Sequence, residues 1–446
     1  MPRVMILATT TGYQTRSFGE AAGRLGVELV FATDRCHMLE DPWQDDAIPI
    51  RFYDEPRAVD AIVAAARARR IDGILVVGDR PTVIAARVAQ ALGHPGNPPE
   101  AAAIARDKLR TRECFRDSGL PVPWFLPTRL RSSDSDASFG DARQAPAASP
   151  RPATFPCVVK PLVLSGSRGV MRADDAQSLD AAIERLRALL NSPEIRAERD
   201  EAHESLLIEG FIPGREFAVE GLLHHGVLHT VAIFDKPDPL DGPFFEETIY
   251  VTPSSVPPGV QQAIVKAVEG AVRAIGLHHG PIHAECRVHP VASSELPEVF
   301  VLEVAARPIG GLCARAIRFA NGEPLEEMLL RHALGESPDA WRRERSASGV
   351  MMIPIPRRGI FRGVDGVDEA TRVRHVDDVR ITAKQGQLLL PLPEGASYLG
   401  FIFARADRPA DVEGALRAAH AELRFAIDPE FPVLAAGSMR YNPDHG

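Results

Sequence analysis

The chain has 446 residues, 45% of them hydrophobic and 25% charged, with a formal net charge of −9. That length accommodates about three domains of roughly 150 residues, with enough apolar material for a large core. The acidic balance excludes nucleic acid as the main partner, because a phosphate backbone needs concentrated Lys and Arg, but it leaves nucleotide binding open to a few local cations.

The first hundred residues alternate strand-like and helix-like runs. Arg3 to Thr9, Glu28 to Thr33 and Ile74 to Val77 read as buried strands, and Ser17 to Leu25, Pro56 to Arg70 and Pro81 to Leu92 as helices. This β-α-β rhythm predicts a Rossmann-like parallel sheet flanked by helices. Thr9 to Gln14 lacks the G-x-G-x-x-G fingerprint, which removes a dinucleotide dehydrogenase from consideration. Residues 129–154 shift to Ser, Asp, Ala and Pro without periodicity and read as a flexible loop. An α+β region continues to residue 334. Beyond it, Val350–Ile355, Val379–Thr382, Leu388–Leu390 and Phe401–Ala404 are strand candidates, ahead of a helix with Val412, Leu416, Ala419 and Leu423 on one face. The expected division is residues 1–100, 101–334 and 335–446.

The five cysteines (Cys36, Cys114, Cys157, Cys286 and Cys313) are odd in number and lack C-x-x-C spacing, so free thiols in a reducing compartment are expected. Val4 to Ala8 is too short for a signal-peptide core, and no stretch is long and apolar enough to span a membrane. A cytoplasmic location follows as the expectation.

Four separated segments carry chemistry. Asp107-Lys108 to Arg112 opens a helix, where its cations serve either a ligand or a solvated face. Lys160 ends an apolar strand just before Pro161, and burying it requires an anion partner. The following Ser165-Gly166-Ser167-Arg168-Gly169 suits either a phosphate-wrapping loop or a glycine-rich hairpin turn. Glu209 ends the strand Leu206–Glu209, where a carboxylate accepts from nucleotide hydroxyls, while Glu216 and Glu220 share one face of the next strand. Strand alternation then groups His283, Glu285 and Arg287 in one segment, and Glu303, Ala305 and Arg307 in another. Two glutamates from otherwise apolar strands make a hard-oxygen site suited to Mg²⁺, with Arg307 able to grip a phosphoryl group in bidentate fashion. A zinc reading of His278, His279, His283 and Cys286 matches no closed ligand spacing.

Taken in order, D-K-x-x-x-R with its G-L-P-V-P exit, V-V-K-P with the Gly/Ser loop, L-I-E-G-F-I-P-G-R-E, H-A-E-C-R and L-E-V-A-A-R-P-I-G-G resemble the ATP-grasp ligases along nearly the whole chain. The segment from Gly349 to the closing helix is similar to the C-terminal domain of L-amino acid ligases. The resemblance implies an ATP-grasp fold, with a Rossmann-like pre-ATP-grasp domain before it and an L-amino-acid-ligase-type domain after it. It implies an ADP-forming carboxylate–amine ligase working through an acyl phosphate on amino acids or small carboxylic acids. By the same resemblance Lys108 and Lys160 contact ATP, Ser165 to Gly169 close over the phosphates, and Glu209 and Glu216 serve the nucleotide. Glu285 and Glu303 hold Mg²⁺ (or Mn²⁺), Arg307 meets the acyl phosphate, and the backbone N–H groups of Gly310 and Gly311 face a tetrahedral oxyanion.

The implied partners are a small carboxylate and an amine, neither nucleic acid nor membrane, with a homodimer as a candidate assembly. Many members carry Asn two residues after the second metal glutamate; here Ala305 leaves a second ion to weaker binding or to water. Two other readings remain: a formate- or bicarbonate-using ligase of purine or one-carbon metabolism, and a non-catalytic ATP-binding regulator.

Overall fold

The computed structural model describes residues 1–9, 13–34, 47–130, 154–290 and 297–430. The opening segment forms β1 (Arg3–Ala8), α1 (Tyr13–Leu25), β2 (Glu28–Thr33), β3 (Ile48–Pro49), α2 (Glu55–Ala68), β4 (Gly73–Val77) and α3 (Thr82–Leu92). Its strands lie in the order β3-β2-β1-β4, all parallel. The continuous apolar runs of β1 and β4 suit a sheet covered on both faces, as the sequence predicts. Residues 10–12 and Cys36 lie outside the described residues.

Next come α4 (Pro99–Arg106) and α5 (Lys108–Asp117). Asp107 caps α5, accepting from the Leu109 N–H at 2.9 Å and the Arg110 N–H at 3.1 Å. The cap sets the helix register, placing Lys108 and Arg112 four residues apart on one face.

A four-stranded sheet, β5-β8-β6-β7, is built from β5 (Phe125–Arg129), β6 (Cys157–Pro161), β7 (Met171–Ala173) and β8 (Ser205–Gly210). The helices α6 (Ala176–Leu190) and α7 (Pro193–Arg196) share its core, burying Leu179, Ile183, Leu186 and Ile195 with Cys157, Val159 and Ile208. Asp175 and Ser178 form a reciprocal capping box at the start of α6. Of the loop expected at 129–154, residues 131–153 lie outside the described residues. Arg129 does not belong to a loop: it pairs with Ser205 in β8, and the Leu130 N–H donates to the Glu204 carbonyl at 2.7 Å.

The central sheet draws on β9 (Arg215–His224), β10 (Val227–Asp235), β11 (Ile249–Thr252), β12 (Gly280–His289) and β13 (Glu298–Ala305), with α8 (Pro258–Ile275) and α9 (Leu325–Ala333) beside it. The last hundred residues add β14 (Ala347–Ile353), β15 (Gly359–Asp365), α10 (Val367–Arg372), β16 (Val376–Ile381), β17 (Leu388–Leu389), β18 (Gly400–Ala406), α11 (Pro409–Glu422) and β19 (Arg424–Asp428). The central sheet has eight strands in the order β13-β12-β9-β10-β11-β14-β18-β16. The C-terminal strands therefore do not stand apart. They continue the sheet through β11, whose Val251 pairs with Asp235 on one side and Gly349 on the other. The segments β15, β17 and β19 form a separate three-stranded sheet, of which β15 and β19 have no counterpart among the sequence-predicted strands.

The helix α9 packs on the N-terminal sheet. A Cβ at Gly73 would lie 2.5 Å from the Ala333 carbonyl oxygen, so only glycine permits this approach. Ile6 and Leu75 accordingly share a core with Met328, Leu329, Val350 and Phe401.

Candidate functional site

A cavity of about 300 Å³ lies among the start of α5, β6 and its following loop, β8, β9, β12, β13 and the segments 307–313 and 396–398. Of the predicted site residues, Lys108, Lys160, Ser165 to Ser167, Glu209, Glu216, Glu285, Glu303, Arg307, Gly310 and Gly311 all line it. Arg168 and Gly169 do not. A second space of about 660 Å³ adjoins it, sharing Leu164, Ser165, Arg307, Gly310 and Ala396 and adding Asp79, Arg80 and Arg106 from the N-terminal side.

Lys160 and Glu209 face each other from paired strands, and their head groups are in direct contact. The Arg112 guanidinium reaches Glu209 from α5, its Nε to Oε2 at 2.8 Å and its second terminal nitrogen to Oε1 at 3.2 Å. Arg112 also donates to the carbonyls of Val301 and Leu302, tying α5 to β13. Burial opposes ionisation of Glu209, but Arg112 and Lys160 outweigh it and hold the carboxyl down at about 2. The anion partner that Lys160 requires is thus Glu209. Both Glu209 oxygens are engaged by protein cations rather than turned to the cavity as acceptors for hydroxyls.

A second charge centre gathers around Lys236, whose Nζ contacts Glu216 Oε1 at 2.8 Å, Glu247, and Glu285 Oε1 at 3.4 Å. In the sequence, the stretch from Phe234 to Tyr250 reads either as a Pro-rich structural loop or as a wall of the acceptor pocket, with Lys236 or a neighbouring cation for a substrate carboxylate. The structure corrects the second reading for Lys236. Lys236 is 5% exposed and serves as an internal counter-ion, because three carboxylates meet at its ammonium. Arg287 takes the other oxygen of Glu216 at 2.9 Å, and the Tyr250 hydroxyl donates to Glu247 at 2.8 Å. Burial and the neighbouring charge of Glu285 push Glu247 up to about 7 against the pull of Lys236.

Glu285 and Glu303 are directly opposed across β12 and β13. Lys108 reaches Glu303 Oε2 at 3.3 Å while donating to the Leu164 carbonyl at 2.7 Å. His283, in contact with Glu220, approaches Glu285 Oε1 through Nε2 at 3.4 Å. Burial works against the charged imidazole, yet Glu220 raises it to about 9. Glu220 also accepts from the Ile309 N–H at 3.2 Å, which fixes the chain just before Gly310. The side chains of Glu285 and Glu303 are 23% and 26% exposed, against 8% or less for Glu209, Glu216 and Glu220. Two paired, accessible carboxylates offer hard oxygen ligands, and this donor set fits Mg²⁺.

Arg307 grips Asp79 with two parallel contacts, 2.9 Å from Nε and 3.1 Å from a terminal nitrogen. Burial opposes the Asp79 charge, but Arg307 outweighs it and holds the carboxyl below its ordinary value. Sequence reasoning missed Asp79. Its available signal is its place just after β4, at the carboxyl end of a parallel strand, where open α/β sheets bind ligands. The Gly/Ser loop connects the antiparallel strands β6 and β7, as its hairpin reading expects, and Ser165 to Ser167 lie at the cavity. Its Arg168 turns to Glu194 and donates to the Glu394 carbonyl at 2.8 Å, while the Gly169 N–H donates to the Pro393 carbonyl at 2.8 Å. None of the four described cysteines forms a disulfide.

Three family descriptions match the chain: an ATP-grasp N-terminal domain over residues 19–96, an ATP-grasp domain over 153–316, and an L-amino acid ligase C-terminal domain over 351–428. The crystal structure of an L-amino acid ligase from Bacillus licheniformis superposes with a TM-score of 0.77 at 28% identity, covering 96% of this chain and 99% of that one. The alanine–anticapsin ligase of Bacillus subtilis is 25% identical over 333 residues, which are 71% of this chain and 66% of the relative. N5-carboxyaminoimidazole ribonucleotide synthetase from Thermotoga maritima superposes with a TM-score of 0.64 over 96% of this chain and all of that one, but at 16% identity it shows likeness of fold alone. The chain belongs to the ATP-grasp carboxylate–amine ligases and carries the domain set of the L-amino acid ligases.

Proposed function

We propose that this ligase uses ATP to join the carboxylate of one amino acid, or similar small acid, to the amine of another. The observation that carries the reading is the Glu285–Glu303 pair, the most exposed glutamates lining the cavity, beside Lys108 and Arg307. A carboxylate is inert toward amines because oxide is a poor leaving group, so activation has to come first. In this scheme a carboxylate oxygen of the acid displaces ADP from the γ-phosphorus, giving an acyl phosphate. The amine then attacks the carbonyl and phosphate leaves.

The chain's own contribution is positioning and charge neutralisation. Lys108 and Lys160 face the phosphate chain of the substrate ATP, and Ser165 to Gly169 cover it and exclude water. Glu216 lies at the nucleotide, as does Glu209 with its bound cations. Arg307, preset by Asp79, holds the transferred phosphoryl group, and the N–H groups of Gly310 and Gly311 meet the oxyanion. Bound Mg²⁺, held by Glu285 and Glu303, supplies neutralisation of phosphate charge; Ala305 is the reason to count the ions. The adjoining space walled by Asp79, Arg80 and Arg106 offers charges of both signs and suits the zwitterionic second substrate.

The four unpaired described cysteines, together with the absence of any described helix long and apolar enough to cross a membrane, agree with a cytoplasmic location. The deciding experiment is a screen of amino-acid pairs with ATP and Mg²⁺, reading ADP release and product mass. At least one pair should yield a mass equal to the two acids less water. Glu303→Gln should lower ADP release by about 100-fold or more while ATP still binds. Undiminished turnover in that variant would remove the metal assignment, and no amide product from any pair would remove the substrate class.

A further inference from the structure

We propose that His224, His225 and His279, none of which lines the catalytic cavity, form a binding site for a single divalent transition-metal ion of the zinc type. Six of the fourteen histidines meet here from four stretches of chain: His224 and His225 at the β9–β10 turn, His229 on β10, His278 and His279 before β12, and His332 on α9. The rings of His225 and His279 are 5.1 Å apart, those of His224 and His225 4.5 Å, and His279 stacks on His332 at 4.3 Å.

A ring nitrogen from each of His224, His225 and His279 lies within 4.8 Å of the others. Imidazole nitrogens around one tetrahedral zinc stand about 3.4 Å apart, from metal–nitrogen bonds of about 2.0–2.1 Å, so small side-chain rotations close the set. Neutral imidazoles without thiolates or carboxylates select zinc, nickel, cobalt or copper over magnesium. Three histidines leave a fourth position to water.

Two further observations distinguish this cluster from an incidental stack of rings. His279 is 7% exposed, yet its Nδ1 has no hydrogen-bond partner. A buried polar atom left unpaired costs stability unless a partner is acquired. The turn that carries His225 puts it at φ +51, followed by Gly226 at φ +85. This two-residue hairpin turn favours Asn or Asp before Gly, so histidine is not the residue that the turn itself most selects.

The frame around the rings is rigid. The Asn97 carboxamide oxygen accepts from the backbone N–H of His278 at 2.7 Å and of His279 at 3.1 Å, and the Gly226 N–H donates to the His278 carbonyl at 2.7 Å. His332 stands behind His224, Nε2 to Nδ1 at 3.2 Å, where it can fix the tautomer of a ligand. An ion here would pin the β9–β10 hairpin to the start of β12 and, through His332, to α9 and the N-terminal sheet.

The test uses tag-free, chelator-treated full chain titrated with Co²⁺ under saturating Mg²⁺, which keeps the carboxylate site occupied. The expected result is one equivalent of Co²⁺ giving a visible d–d band that Zn²⁺ abolishes, with a rise in the thermal midpoint. His225→Asn, whose new residue is favoured at positive φ, should fold at least as well without metal and bind Co²⁺ about tenfold more weakly or worse. His224→Gln/His279→Gln should lose the band. None of these residues lines the catalytic cavity, so ADP release should be unchanged in His225→Asn. No band in the wild-type chain, or equal stoichiometry and affinity in both variants, overturns the proposal.

Discussion

Lys236 shows how a single residue sets the electrostatics of this site. Its ammonium is buried among Glu216, Glu247 and Glu285, and burial alone would favour its neutral form. The three carboxylates reverse this and raise it well above its ordinary value. Replacing it by methionine keeps most of the volume but removes the cation shared by three acids, leaving Glu216 to Arg287, Glu285 to His283, and Glu247 with only the Tyr250 hydroxyl. Lys236→Met is therefore expected to cost about 3–5 kcal/mol in chemical denaturation. A loss under about 1 kcal/mol would mean that water or a bound cation already does this work. At the same scale, Glu285 and Glu303 were readable in advance because each stands out in an apolar strand whose alternation assigns its face. Asp79 carried only the weak signal of its place after a parallel strand, and its pairing with Arg307, 228 residues away, was not readable. Lys236 was left between two readings for a related reason: a lysine in a Pro-rich stretch looks exposed until the strands around it are assembled.

At the scale of elements, the loop between β6 and β7 depends on backbone conformations as much as on side chains. Gly166, Ser167 and Gly169 all have positive φ, and a Cβ at Gly169 would sit 2.8 Å from Leu186 Cδ1 on α6. Gly169→Ala should cost about 1–3 kcal/mol of stability and raise the KM for ATP more than it lowers kcat. Thermal denaturation with steady-state kinetics checks both, and an unchanged KM would separate the loop from ATP binding. Helices and buried strands were largely legible, because periodic apolar positions and Asp or Pro at helix starts are local signals. The strands β15 and β19 were not, since each is partly exposed and they pair with one another far along the chain. Periodicity marks a strand without naming its partner, so the joining of β14, β18 and β16 to the central sheet could not be read either.

Across the whole molecule, acid sensitivity should follow the Glu209 centre, where β6, β8, α5 and β13 are tied together. The folded value of Glu209 is about 2, below the ordinary 4.5, so its contribution is complete above pH 4.5 and is lost as pH falls from there toward 2. Denaturation midpoints between pH 6 and 3 should fall, by up to about 1.4 kcal/mol for each pH unit below 4.5 from this group alone. In Glu209→Gln, less stable throughout because Arg112 and Lys160 lose their anion, that part of the slope should disappear. An unchanged slope would place the sensitivity elsewhere. Sequence by itself determined the parallel N-terminal sheet, written in local periodicity, the ordered motifs that carry the resemblance to ATP-grasp ligases, and the placing of Glu285 and Glu303 in otherwise apolar strands. Only the tertiary structure decided which cation each glutamate keeps, that Asp79 presets Arg307, and that the C-terminal strands complete the central sheet. Those outcomes depend on burial and on pairing between residues distant in sequence, and both exist only once the chain has closed on itself.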